Sequence, residues 1–456
     1  MAEKEKQEGL LSENNYRLLD EIRRQQTSDK TKLAEASGFS WPTVNKLCEE
    51  LKNRGYLSED MSLRPTVGYM LGIAVGTREI KVSLVDFAFQ PVPRKRLKEL
   101  GLGALLKKDL LNTRKGQNEV EDEDYLCLNS SQDLEKLAET LNEVLFAFLQ
   151  MAKAPEDASE LALPLVGIGI AFPGAVDTQQ HKICACPNIP CLNEKDLDSL
   201  LCTDVRTLLE NLEIKIEICH NAEAGFLHEK EHLFHVKDDS IRKKLAGSQN
   251  ILCVYHGTGI GLSGCMAGQL LRGNNGFFGE IGHVLSPDFS FQRLKNEYEG
   301  QNQVAEIPED RIPLSGCRCS FCQKTCLESL IRARVFESED LATFKQKTDR
   351  ERLHTFAQNK WHFKLLSQYI GFMVGTIINL FNPEVLILTG RLYDCVPEIW
   401  NNMNILKSSN TLSYSGSRCT IIPGSRKENS VAIGAAISVY YHKYSYRTEE
   451  INWARH

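Results

Sequence analysis

No stretch of this chain is apolar for long enough to cross a bilayer. The longest apolar region, residues 369–381, falls well short of the roughly 20 residues a membrane helix needs and contains glycines. A buried helix is expected there. The first residues, Met1 to Glu8, lack the apolar core of a secretory signal, so a cytoplasmic protein is expected. An excess of basic residues is also missing: 54 Lys and Arg stand against 60 Asp and Glu, a net charge of -6. That excludes a global positive field for nucleic acid, and any such contact must come from a local patch. The 15 cysteines are scattered, mostly in apolar segments. With no secretory signal, reduced thiols are expected rather than disulfides, the cluster at 317–326 excepted.

What is present suits a globular protein of several domains: 456 residues, 42% hydrophobic and 25% charged. In residues 1–66 the apolar spacing of Tyr16, Leu18, Leu19 and Ile22 predicts an amphipathic helix. A second helix is expected from Ser28 as its cap, broken by Gly38. A third starts at Ser40 with Pro42 in its first turn, buries Val44, Leu47, Cys48 and Leu51, and ends at Gly55. Helix, short turn, helix is the helix-turn-helix layout, and residues 56–66 suit a short wing. The start of the last helix then enters the major groove and offers Ser40, Trp41, Thr43, Asn45 and Lys46 to bases and phosphates, with Lys30, Lys32 and Arg64 as flanking cations. Acids and bases balance in this module, so specific binding is expected to need dimerisation. A helical protein-interaction domain is the plainer alternative.

From residue 67 the pattern changes to strands alternating with helices, an α/β sheet. Residues 71–86 suit a hairpin, 134–151 a helix, and Val166 to Phe172 a buried strand running into Pro173-Gly174. The polar stretch 106–125 reads as an exposed insertion. Further on, Gly257-Thr258-Gly259-Ile260-Gly261 forms a glycine-rich turn, and Gly279-Glu280-Ile281-Gly282-His283 follows. Glu280 and His283 are three residues apart and can share one face of a helix or tight turn. A carboxylate that accepts hydrogen bonds beside an imidazole that accepts or donates suits a hydroxyl-rich ligand. A glycine-rich loop with a solvated Glu and a satisfied His is the plainer alternative. His283 with Cys317, Cys319 and Cys326 would make a closed tetrahedral Cys₃His set, the usual structural zinc arrangement. Cys322 could supply the third sulfur instead of Cys326.

Taken in order, these motifs, with Phe381-Asn382-Pro383-Glu384-Val385 and Ile433-Gly434-Ala435-Ala436, resemble the repressor/ORF/kinase (ROK) family from about residue 14 to about 440. The resemblance implies an actin-like, ribonuclease-H-like fold of two lobes preceded by an all-α winged helix-turn-helix. The expected boundaries are 1–66 for the DNA module, 67–190 for the first lobe with a C-terminal helix at about 429–446, and 191–428 for the second lobe with its zinc segment at 283–328. Family members are sugar kinases or sugar-responsive transcriptional regulators.

Three departures separate this chain from the family's kinases. Ala74 stands where they place the Asp that orients the metal-nucleotide, and a methyl group offers Mg²⁺ no oxygen. Asn221 stands where they place the catalytic Asp, and an amide has no useful basicity; losing a general base costs about 10² to 10⁴ in rate. Thr389-Gly390-Arg391 replaces a turn with two glycines. By the same resemblance Glu280, His283 and Glu328 match the sugar-holding groups, Asn221 can still bond a hydroxyl, His220 replaces a sugar-contacting Asn, and Gly174 lets ligand approach the backbone. Six residues rather than the usual four separate Cys319 from Cys326. The expectation is a repressing regulator that binds a sugar or sugar phosphate between its lobes without phosphorylating it. It would pair with operator DNA as a homodimer or homotetramer, contain structural zinc, and make no membrane contact. An ATP-dependent sugar kinase with an appended DNA-binding domain is the rival reading, and a sensor of a partner protein a third.

Overall fold

The computed structural model describes residues 11–114, 123–153, 163–284, 326–329 and 360–444, apart from 237, 258, 275, 391, 394, 395, 397 and 426. The chain divides into two compact units, residues 1–246 with 427–456, and residues 247–426. No helix among the described residues is long and apolar enough to cross a membrane.

The first unit begins with three helices, α1 (Glu13–Gln25), α2 (Lys30–Ser37) and α3 (Trp41–Asn53). Each starts where a side chain satisfies backbone donors that the helix leaves free. Ser12 and Asn15 form a reciprocal capping box on α1, and Ser40 caps α3. The cap of α2 is Asp29 rather than Ser28: its carboxylate accepts from the amides of Thr31 at 2.9 Å and Lys32 at 3.4 Å. A charged acceptor suits the positive end of a helix better than a hydroxyl. Leu18, Leu19, Leu33, Val44 and Leu51 are fully buried between the helices. Leu57 and Leu63 pair as a minimal antiparallel wing.

The sheet of this unit runs β3 (Leu126–Asn129), β2 (Glu79–Asp86), β1 (Tyr69–Val75), β4 (Leu165–Phe172), β8 (Ile216–His220). β1, β2 and β3 are antiparallel neighbours, while β4 and β8 add in parallel. A small sheet of β5 (Ala175–Asp177), β6 (Lys182–Ala185) and β7 (Lys195–Asp196) follows β4. Helix α4 (Leu134–Ala152) buries Leu141, Val144, Leu145 and Phe148 in the same core. The stretch expected as an exposed insertion is only partly so. Asp109 is buried, paired with Arg94, and accepts from the amides of Leu111 and Cys127; residues 115–122 lie outside the described residues.

β8 leads directly into α5 (Asn221–Leu233), which packs against the C-terminal helix α8 (Ser430–Tyr444). At Gly434 the two helices touch so closely that a Cβ would overlap the Ala224 carbonyl oxygen. This moves the expected boundary. The first unit continues past 190 to residue 246 and takes in residues 427–456, because β8 hydrogen-bonds to β4 and α5 carries an almost wholly buried surface into that core.

The second unit repeats the scheme with new residues. Its sheet runs β11 (Gln269–Leu270), β10 (Ile260–Met266), β9 (Ile251–His256), β12 (Val385–Thr389), β13 (Thr420–Pro423), the first three antiparallel and the last two parallel. Helix α6 (Lys360–Phe381) contains the apolar stretch noted in the sequence and lies against α7 (Glu398–Asn410). Tyr369, Ile370, Met373, Val374 and Ile377 are buried with Leu386 and Leu388 of β12.

Candidate functional site

In the DNA-reading module the first turn of α3 is open. Trp41 is 52% exposed, and Ser40 and Lys46 are exposed beside it. Lys32 and Arg64 are exposed, while Lys30 and Thr43 are half-buried. Three expected base readers, Asn45, Ser40 and Thr43, are engaged within the module. Lys30 Nζ donates to Asn45 Oδ1 at 2.6 Å, and the Ser40 and Thr43 hydroxyls lie 2.7 Å apart. Asn45 must release Lys30, or present only its amide nitrogen, to read a base. Lys46 lies 3.8 Å from Glu50, an exposed pair that a phosphate can displace at little cost.

The first unit positions Gly174, His220 and Asn221. Gly174 has φ 129°, and a Cβ there would overlap the Ala185 carbonyl oxygen. His220 ends β8 and is the N-cap of α5, though its side chain makes no cap bond. Burial pushes its imidazole down to about 4, which leaves it a feeble base at neutral pH. Asn221 is the first helical residue. Its Oδ1 is buried and has no hydrogen-bond partner among the described residues. Ala74 pairs across the β1–β2 hairpin with Lys81, and directly opposed side chains share a face. Lys81 Nζ lies 2.9 Å from the Glu428 carbonyl oxygen and 3.6 Å from its carboxylate. An ammonium thus sits on the same sheet face as Ala74.

The second unit brings Glu280, His283, Glu328 and Cys326 together. Glu280 precedes the short turn of 3₁₀ helix Ile281–His283. The approach depends on Gly279, which has φ 91° and lies against the Leu262 carbonyl; Leu262 N–H donates to Gly279 O at 2.8 Å. The two nitrogens of His283 face different partners. Nε2 is 3.6 Å from Glu280 Oε2, and Nδ1 is 3.8 Å from Cys326 Sγ. Burial raises the Glu280 carboxyl above its ordinary range; His283 opposes that shift and nearby Glu328 adds to it.

Glu328 shows something the sequence did not predict. Its Oε2 accepts from the Ile260 amide at 3.0 Å, at the start of β10, and a Cβ on Gly259 would stand 2.7 Å from the same oxygen. The glycine-rich turn therefore gives a backbone donor to a carboxylate of its own chain rather than to a phosphate. The pairing joins residues 68 positions apart, and no local pattern encodes it.

Zinc fits the two ligands that are described. Sulfur and nitrogen bound to one tetrahedral zinc stand about 3.5 Å apart, close to the 3.8 Å observed between Cys326 and His283. Cys317, Cys319 and Cys322 lie outside the described residues, as does the expected insertion at 286–316. Among the described residues no group of three His, Cys, Asp or Glu is placed to hold a metal. That includes His228-Glu229-Lys230-Glu231-His232, whose spacing matches a zinc-protease helix. There the two rings stack at 5.4 Å and 11°, and Glu229 is fully buried.

The family model described as "ROK family" matches residues 118–441. A xylose repressor of Bacillus subtilis (strain 168) is 24% identical over 448 residues, which cover 94% of this chain and 95% of the relative. The DNA-binding transcriptional dual regulator NagC of Escherichia coli (strain K12) is 22% identical over 407 residues, 83% of this chain and 79% of that protein. Among solved structures, a ROK family transcriptional regulator described as a homologue of the E. coli MLC protein superposes with a TM-score of 0.58 at 16% identity, covering 94% of this chain and 95% of that one. That likeness supports the fold.

Proposed function

The chain belongs to the ROK family, and from that premise we propose that it is a sugar-responsive, DNA-binding transcriptional regulator, a repressor, which binds its effector without phosphorylating it. The observation that carries this reading is Asn221. At the position where the resemblance puts the catalytic Asp, its Oδ1 is buried and unpartnered among the described residues. It can accept a hydroxyl proton's hydrogen bond but cannot remove the proton. Depressed basicity at His220 leaves no obvious substitute. Lys81 beside Ala74 and Glu328 on the Ile260 amide each oppose a metal-nucleotide where a kinase needs one.

The groups that recognise a ligand are kept. By the resemblance, the candidate sugar contacts are Glu280, His283, Glu328, His220, Asn221 and Gly174. A structural zinc on His283, Cys317, Cys319 and Cys326, with Cys322 as the alternative thiolate, would lock the ring of His283 and leave no coordination position for water. It would present Nε2 to Glu280 and ligand. On the DNA side, Ser40, Trp41, Thr43, Asn45 and Lys46 read the operator, with Lys30, Lys32 and Arg64 on phosphates. A symmetric dimer or tetramer in the cytoplasm would set the half-site spacing.

The names of two relatives, the xylose repressor and an N-acetylglucosamine repressor of Escherichia coli O6:H1 that is 22% identical over 407 residues, direct the test to xylose and N-acetylglucosamine. Duplexes selected by the purified chain from a random-sequence pool should bind with a steep salt dependence, and one of these sugars or a close analogue should weaken that binding. A coupled ADP-release assay over the same sugars should show no turnover. Sugar-dependent ADP release that Asn221→Ala abolishes would refute the proposal.

A further inference from the structure

The helix that begins at Asn221 ends against the DNA-reading module. Ten residues along α5, about 15 Å at 1.5 Å per residue, Glu231 is 3% exposed. Its Oε1 accepts from Tyr441 O–H and lies 3.6 Å from Arg24 Nη2 of α1. Burial alone would push this carboxyl up, but Arg24, Lys230 and the Tyr441 hydroxyl hold it below the usual carboxylate range. The Glu231 carboxylate, almost wholly buried, has poor access to water as a replacement partner.

The neighbouring arginine, about 100° further round the helix, anchors α1 to a different part of the unit. Arg23 Nη1 lies 2.7 Å from Asp20, and its Nε donates to the Phe87 carbonyl at 3.1 Å. Its guanidinium sits 3.9 Å from the ring centre of Phe89 and 4.4 Å from that of Tyr440. Tyr440 O–H donates to Asp20 at 2.9 Å. Consecutive arginines thus tie α1 to two supports. Arg23 holds the end of the β1–β2 hairpin and α8, and Arg24 holds α5.

We propose that Glu231 is the positioning residue through which ligand at the His220–Asn221 end of α5 reaches the DNA-reading helix. The proposal rests on the sugar-responsive reading above. α5 is closely packed: Ala224 lies against Gly434, and residues 222–229 are buried throughout. Such a helix moves as a body rather than by bending. A hydroxyl that pairs with Asn221 Oδ1 pulls on its first turn. A buried ion pair is costly to separate, because each charge left behind has lost its water. Arg24 therefore follows Glu231, and α1 tilts about the Arg23 anchor. α1 in turn holds α3 through Asn15 Nδ2, which donates to Glu50 Oε2 at 3.2 Å. The exposed first turn with Ser40 and Trp41 belongs to that helix.

Three variants of the full chain test this: Glu231→Gln, Tyr441→Phe, and the paired Arg24→Met with Glu231→Met. The pair removes both charges at similar volume, a change that folded proteins tolerate, and it answers for Glu231→Gln should that variant melt. DNA affinity is measured by fluorescence anisotropy on a duplex selected by the wild-type chain, with and without aldopentoses, aldohexoses and N-acetylhexosamines. Calorimetry gives sugar affinity, and a thermal melt checks folding. The expected result is sugar affinity within about threefold of wild type, with the sugar-induced change in DNA affinity reduced about tenfold or more in the folded charge variants and by less in Tyr441→Phe. A full sugar response in folded charge variants overturns the joint and leaves the regulator reading intact. A wild-type chain whose DNA affinity no sugar alters overturns the regulator reading, and the joint with it.

Discussion

Gly279→Ala is the sharpest test of the ligand clamp. Gly279 has φ 91°, and a Cβ there would fall onto the Leu262 carbonyl oxygen. A left-handed backbone costs an L-residue about 1–2 kcal/mol, and forcing a methyl group into packed space costs about 1–3 kcal/mol more. Together they come to about 3 kcal/mol. The unit that contains it spans residues 247–426. For a unit of this size 1 kcal/mol moves Tm by about 2–4 °C, so a fall of about 10 °C is expected in its transition. The backbone must also move, and with it the Leu262 to Gly279 hydrogen bond and the carboxylate of Glu280. Stabilisation by ligand should then shrink, since that term grows with the ratio of ligand concentration to Kd. Differential scanning calorimetry with and without sugar measures both effects. Gly268→Ala is the internal control: its φ is 76°, but nothing lies within 4 Å of the added Cβ. It should carry only the conformational cost. The reasoning is refuted if Gly279→Ala melts no lower than Gly268→Ala.

Three further outcomes are expected. Purified protein should hold one zinc per chain by elemental analysis, and Cys326→Ser or His283→Ala should lose it and lower the melting temperature. Lys46→Ala should weaken DNA binding on every sequence and lower the salt slope by about one, whereas Asn45→Ala should relax preference at one base pair. Burial pushes His220, His232 and His256 each to about 4, against about 6.5 in an unfolded chain. The unfolded state therefore binds more protons below pH 6.5, and stability must fall as pH drops from about 6.5 towards 4. Glu231, held low by Arg24, loses stability in the same direction. Urea titrations at stepped pH would show the slope, and a stability that is flat across that window would contradict the burial.

Much of the architecture is local information, and the sequence determined it. Caps, glycine stops and apolar spacing set α1 and α3, because each is decided within a few residues by sterics and hydrogen bonding. The residue one position along, Asp29 rather than Ser28, was the kind of choice that two adjacent polar groups leave open until the backbone is built. Glu280, His283 and the substitutions at Ala74 and Asn221 were legible for the same reason: each depends on which group occupies a short motif. Tertiary structure alone decided the rest. The boundary after residue 246 depends on β8 pairing with β4. The capture of the Ile260 amide by Glu328 and of Arg24 by Glu231 joins residues 68 and more than 200 positions apart. Periodicity carries no record of such pairs, because charges are brought together by the packing of whole helices and strands. The stretch around His283 shows both limits at once. Its residue types mark a candidate site, and only the fold shows one nitrogen turned to Glu280 and the other to Cys326.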